Sequence, residues 1–96
     1  MITKEEILDS LARDKPELQK RFKVHRMALF GSYARGEPRA DSDVDILVEV
    51  DPSIGLEFVT LAERIEQLLG VSVDLVSSRA VSSKAMELIG PELIYV

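Results

Sequence analysis

The sequence lacks several features that would assign it to a class of proteins at once. It has no cysteine among its 96 residues, which excludes disulfides, zinc–thiolate sites and cysteine nucleophiles. No apolar run approaches the roughly 18 to 20 residues of a membrane span, and residues 1–6 do not resemble a signal peptide. The single histidine, His25, has no obvious nucleophile beside it. We therefore expect a cytoplasmic protein that does not act at a membrane.

A surplus of positive charge is also absent. The 12 basic and 17 acidic residues give a net charge of −5, which argues against direct binding to nucleic-acid backbones. The hydrophobic fraction of 46% can supply the core of one small domain. Helical and strand patterns alternate without a repeat, linker or low-complexity tract, so we predict one α/β domain over residues 1–96.

The element boundaries follow from capping residues and from periodicity. Thr3 and Glu6 have the spacing of a capping box and precede an apolar stripe, which predicts a first helix. Pro16 is expected to start a second helical segment. Helical spacing also covers residues 56–69, with Gly70 as the stop signal. We further predict strands at residues 27–30, 43–50, 71–76 and 93–96, and a short helix at residues 84–89.

Two aspartates begin the strand at residues 43–50. Successive side chains of a strand point to opposite faces, so Asp43 and Asp45 project to one side while four valine and isoleucine residues form the other. Asp74 is an isolated acid in the strand at residues 71–76, and it would join them if the two strands are neighbours. Burying such charges without a cation is costly. Three carboxylates would suit one or two Mg²⁺ ions that leave positions open for water and phosphate.

The segment before this strand has the features of a phosphate-binding turn. The strand at residues 27–30 breaks at Gly31, and a short helix is expected near Ser32, whose first amides could hold a phosphate. Arg35 or Arg39 could neutralise a triphosphate. Combined with the acids, this arrangement favours nucleotidyl transfer, with Asp74 also able to act as general base.

A calcium-binding loop is an alternative for these acids, because Asp41, Asp43 and Asp45 have its alternating spacing. However, Ile46 stands where that loop requires glycine, and Pro52 stands where it requires a bidentate glutamate. We reject this alternative.

Taken together, these residues resemble the signature of the DNA polymerase β-like nucleotidyltransferase superfamily, and more narrowly that of its minimal nucleotidyltransferase branch. The resemblance rests on Gly31-Ser32, on Ala34-Arg35-Gly36, and on Ser42-Asp43-Val44-Asp45 leading into an apolar strand. It covers nearly the whole chain, and it implies a mixed sheet flanked by helices, ATP as substrate and a pair of Mg²⁺ ions. It assigns catalysis and metal binding to Asp43, Asp45 and Asp74, and nucleotide contacts to Gly31, Ser32, Arg35 and Ser42.

The resemblance also implies a partner. Members of the branch commonly act as antitoxins of HEPN-domain ribonuclease toxins, by transferring AMP from ATP to a tyrosine near the toxin's active site. We therefore predict a metal-dependent protein adenylyltransferase that can form a hetero-oligomer with a HEPN-type toxin. Two alternatives remain open: an antitoxin that neutralises its partner by binding alone and, less favoured, an enzyme that modifies a small molecule.

Overall fold

Four helices and four strands make up the fold, and the computed structural model describes all 96 residues. The helices are α1 (Lys4–Phe22), α2 (Gly31–Ala34), α3 (Glu57–Leu69) and α4 (Ser83–Ile89), and the strands are β1 (Val24–Phe30), β2 (Val44–Val50), β3 (Val73–Ser77) and β4 (Ile94–Tyr95). Short 3-10 turns follow β2 and β3 and precede β4. None of the helices combines the length and the hydrophobicity that crossing a membrane requires.

Helix α1 starts with the predicted capping box. Thr3 Oγ1 accepts a hydrogen bond from the Glu6 N–H, and Glu6 Oε1 accepts one from the Thr3 N–H, each at 3.1 Å. The prediction that Pro16 starts a second segment is wrong, because Pro16 lies inside this one helix. A proline removes the hydrogen bond to the carbonyl four residues earlier, that of Ala12. Both residues are exposed, so water can solvate that carbonyl and the helix continues.

The strands form one sheet in the order β3-β2-β1-β4. Strand β1 is antiparallel to β2 and β4, whereas β2 and β3 are parallel. This arrangement confirms the mixed sheet with flanking helices. Strand β1 begins at Val24, three residues earlier than predicted. The prediction missed these residues because the register shifts between Val24 and Arg26, and such a bulge interrupts the two-residue alternation.

One face of the sheet carries the main core. The four predicted apolar side chains of β2 are all buried: Val44, Ile46, Val48 and Val50. Helices α1 and α3 contribute their buried stripes to the same cluster: Ile7, Leu11, Leu18 and Phe22 from the first, and Leu61, Ile65 and Leu69 from the second. The opposite face of β2 carries Asp45 and Glu49, both half-buried, around the buried Leu47. The acids therefore lie on the face away from the two long helices.

Candidate active site

The chain leaves β1 in a tight turn at Gly31. This residue has a φ of +77° and begins α2, a conformation that glycine adopts without a steric penalty. A Cβ at this position would overlap a carboxylate oxygen of Asp45 and lie 2.9 Å from Asp45 Cγ. The absent side chain thus allows the turn to lie directly against Asp45. The expected break of the strand at Gly31, followed by a short helix, is confirmed.

Asp45 and Asp74 are paired residues of the parallel strands β2 and β3. Neighbouring strands lie about 4.8 Å apart, and paired residues of a parallel ladder point to the same face. Asp43 directly precedes β2 and lies close enough to act electrostatically on Asp45, as Asp74 does. The start of β2 is held to the segment before β3, because the Val44 N–H donates to the Ser72 carbonyl at 3.0 Å. The structure therefore brings the three predicted acids together.

Asp45 has an unfavourable environment for a carboxylate. Burial raises the pKa of Asp45, and the negative charges of Asp74 and Asp43 raise it further. The Arg35 guanidinium acts in the opposite direction but does not outweigh these effects. Because the carboxylates of Asp43 and Asp74 repel that of Asp45 when they are ionised, a bound cation would stabilise the site.

The oxygen donors of the three aspartates suit a hard divalent cation such as Mg²⁺. They do not form a complete cage, since no group of three or more acidic, histidine or cysteine side chains is arranged to hold an ion by itself. Magnesium sites that act on phosphates usually need only one or two carboxylates, and the other positions are taken by water and phosphate oxygens. The arrangement therefore fits a cation that is shared with a phosphate-containing substrate.

Glu92 is a site residue that sequence reasoning missed. It lies in the 3-10 turn Gly90–Glu92 that precedes β4. Its Oε1 accepts a hydrogen bond from the Gly31 N–H and its Oε2 accepts one from Arg35 Nη1, both at 2.9 Å. Burial alone would raise the pKa of Glu92, but these two bonds and the positive charge of Arg35 together outweigh burial and lower it. The only signal in the sequence was a single acid in front of the apolar residues 93–96.

The remaining predicted contacts have roles in the local structure. The Ser32 carbonyl accepts a hydrogen bond from the Glu37 N–H at 2.9 Å, which closes the turn after α2. Ser42 Oγ accepts one from the Arg39 N–H at 2.9 Å, and the Ser42 N–H donates to the Arg39 carbonyl at 3.0 Å. Ser42 therefore stabilises the connection that leads into β2. Nucleotide contacts from Gly31, Ser32, Arg35 and Ser42 stay predictions.

An open groove of about 470 Å³ adjoins Asp43. Its lining includes apolar side chains from Ile2, Tyr33 and Val71, and the polar residue Ser72. Ligand pockets typically enclose about 300 to 1,000 Å³. The groove therefore has room for a nucleoside, or for a side chain of another protein, beside Asp43.

The sheet, the glycine turn and the adjacent aspartates together define a nucleotidyltransferase. The chain matches the nucleotidyltransferase domain family over residues 11–93 and belongs to that family. This confirms the family that the sequence signature predicted.

Similar proteins narrow this class. The protein adenylyltransferase MntA of Thermococcus cleftensis is 46% identical over 98 residues, an alignment that covers 100% of this chain and 98% of the relative. A solved structure described as a minimal nucleotidyltransferase superposes with a TM-score of 0.81 at 36% identity, covering 97% of this chain and 95% of that chain. A crystal structure of a toxin–antitoxin with AMP-PNP superposes with a TM-score of 0.68 at 26% identity, covering 98% of this chain and 72% of that chain.

Proposed function

We propose that this chain is a protein adenylyltransferase that moves AMP from ATP to a tyrosine hydroxyl of a HEPN-type toxin and thereby acts as its antitoxin. The observation that carries the proposal is the placement of Asp45 beside Asp74, directly against the Gly31 turn. Similarity to MntA and to a toxin–antitoxin with AMP-PNP supports the nucleotide and the kind of partner. The HEPN class and the tyrosine acceptor rest on the family resemblance.

The side chains have distinct tasks in this reaction. Asp43 and Asp45 would hold Mg²⁺ together with triphosphate oxygens, and a pair of such ions would offset the charge of the triphosphate and of the leaving pyrophosphate. Arg35 binds the triphosphate from the end of α2. Asp74 accepts the proton of the attacking hydroxyl. The hydroxyl oxygen bonds to the α-phosphorus while the bond to pyrophosphate breaks, so AMP becomes esterified to the partner.

The acceptor side chain approaches from solvent. Asp43 and Asp74 are exposed, and Asp45 is half-buried beside them. A tyrosine on the surface of a second protein can therefore reach the acids once the two proteins form a complex. The proposed reaction consumes ATP, so we expect it to take place in the cytoplasm.

The proposal is tested by incubating the chain with ATP, MgCl₂ and a candidate HEPN-type toxin, and measuring the mass of that toxin. We expect a gain of one or more AMP units, which Asp43→Asn and Asp45→Asn abolish. Asp9→Asn is the matched control, because Asp9 is an exposed acid on helix α1. This variant should transfer AMP as the wild-type protein does.

Other outcomes identify the alternatives. If all variants neutralise the partner equally and its mass never changes, the chain acts by binding alone. A gain of AMP on a small molecule but not on the protein would instead identify a small-molecule nucleotidyltransferase. Either result would overturn the proposed function.

A further inference from the structure

Glu92 connects two parts of the site that the sequence keeps apart. One carboxylate oxygen is bonded to the backbone of the Gly31 turn and the other to the side chain of Arg35. The Glu92 side chain is only 21% exposed. Its backbone is anchored nearby, because β4 follows it and pairs with β1 through Ile94 and Leu29. Glu92 is therefore a fixed point against which Arg35 is held.

Arg35 has a second acidic neighbour that is bound much less closely. Glu37 Oε2 lies 3.7 Å from Arg35 Nε, beyond hydrogen-bond distance, and the Glu37 side chain is 74% exposed. A guanidinium carries five N–H donors, and Glu92 uses only Nη1. The remaining donors of Arg35 can bind an anion while the bond to Glu92 stays in place. An anion therefore need not displace Glu92.

We propose that Glu92 is a positioning residue, which holds Arg35 and the Gly31 turn in the orientation that receives the phosphates of the nucleotide. This inference rests on the proposed function, in which Arg35 binds the triphosphate. Without Glu92 the Arg35 side chain, which is 48% exposed, would move among many rotamers and would have to be ordered on binding. Attraction between an exposed guanidinium and an anion is weak in water, whereas a directed, charge-assisted hydrogen bond is strong. Orientation therefore outweighs the negative charge that Glu92 adds.

The test is the affinity for AMP-PNP with Mg²⁺, measured by titration calorimetry on the full chain without partner. Glu92→Gln keeps an oxygen for the Gly31 N–H and removes the charge that faces Arg35. We expect it to weaken binding about tenfold, the order of one charge-assisted hydrogen bond. Glu37→Gln is the matched control, since it removes the other acid beside Arg35, and it should bind as the wild-type protein does.

A double-substitution cycle shows whether Glu92 acts through Arg35. In an Arg35→Gln background, Glu92→Gln should cause no further loss of affinity. An equal loss in both backgrounds would mean that Glu92 acts through the general structure and would overturn the inference. Tighter binding by Glu92→Gln would overturn it as well, because Glu92 would then compete with phosphate for Arg35.

Two further outcomes separate this inference from the proposed function. If the wild-type protein binds AMP-PNP and Glu92→Gln binds equally well, only the inference fails. If the wild-type protein does not bind AMP-PNP with Mg²⁺, the proposed function fails and the inference fails with it. Should thermal unfolding show that Glu92→Gln is not folded, Glu92→Asp replaces it. The shorter carboxylate keeps its charge but cannot span both Gly31 and Arg35, so it should also weaken binding, and unchanged binding would contradict the proposal.

Discussion

Gly31→Ala tests whether the glycine is needed for its backbone conformation or for its contact with Asp45. Gly36→Ala is the matched control. The two glycines have nearly the same φ, +77° and +75°, but a Cβ at Gly36 would meet nothing within 4 Å. The difference between the two variants therefore isolates the overlap with Asp45.

The magnitude follows from the local geometry. The left-handed conformation costs an alanine about 1–2 kcal/mol. The alanine also lowers the conformational entropy of the unfolded chain, which offsets part of that cost, so Gly36→Ala should lose about 1 kcal/mol of unfolding free energy. In Gly31→Ala the new Cβ also lies 2.9 Å from Asp45 Cγ and 3.1 Å from Asp45 Cβ. Rotation of the carboxylate removes the overlap with its oxygen, but strand β2 fixes the Cβ of Asp45. Such overpacking costs a further ~1–3 kcal/mol.

Thermal unfolding followed by circular dichroism measures this difference. Each kcal/mol corresponds to about 4–8 °C in a domain of this size, so Gly31→Ala should unfold at a clearly lower temperature than Gly36→Ala. AMP transfer should also fall by about 100-fold in Gly31→Ala alone, since a displacement of about 1 Å in a catalytic group can have that effect. Equal unfolding temperatures and equal transfer rates for the two variants would show that the contact with Asp45 is not the reason why position 31 requires glycine.

Two further substitutions test the electrostatics and the support of the acids. Asp45→Asn removes a carboxylate whose pKa is raised by burial and by the neighbouring aspartates, so its ionised form destabilises the folded state at neutral pH. We expect this variant to be ~0.5–1 kcal/mol more stable than the wild-type protein at pH 7, the low end for such replacements because solvent screens the site. The two unfolding midpoints should converge as the pH falls through the folded pKa of Asp45, and a wild-type protein as stable as the variant at pH 7 would contradict this reasoning. Glu66→Ala removes the carboxylate that accepts the Val73 N–H at 3.0 Å at the start of β3. It should cost ~1–2 kcal/mol in urea unfolding and slow AMP transfer by loosening the strand that carries Asp74, whereas Glu63→Ala, an exposed acid on the same helix, should change neither. An unchanged urea midpoint for Glu66→Ala would refute that role.

The parts of the fold that the sequence predicts are those decided by near neighbours. The capping box needs only Thr3 and Glu6, three positions apart, and both of its hydrogen bonds form. The two faces of β2 follow from strict alternation, because a strand buried on one face must place every second side chain there. The prediction that Asp74 joins the other acids needed one further assumption, that β2 and β3 are adjacent, and their pairing confirms it.

The parts that escaped prediction depend on distant contacts or on local irregularity. Glu92 lies 61 positions from Gly31, and it reaches the turn only because β4 pairs with β1. No local pattern distinguishes such an acid from one on the surface. The wrong prediction at Pro16 has a local cause instead. Proline usually ends a helix, but the lost hydrogen bond costs little where water reaches the helix, so α1 continues through Pro16.

In the proposed function, the charges of the site give cations and Arg35 different tasks. Three carboxylates, those of Asp43, Asp74 and Glu92, lie close enough to act on Asp45, and Arg35 is the one cationic group that acts on it. A triphosphate is also anionic, so it would be repelled unless cations accompany it. Arg35 cannot supply that compensation, because Glu92 already balances its charge and occupies Nη1. In the proposed function, the aspartates would therefore attract the cations that allow the anionic nucleotide to bind, while Arg35 and Glu92 would form a fixed pair that determines where the phosphates lie.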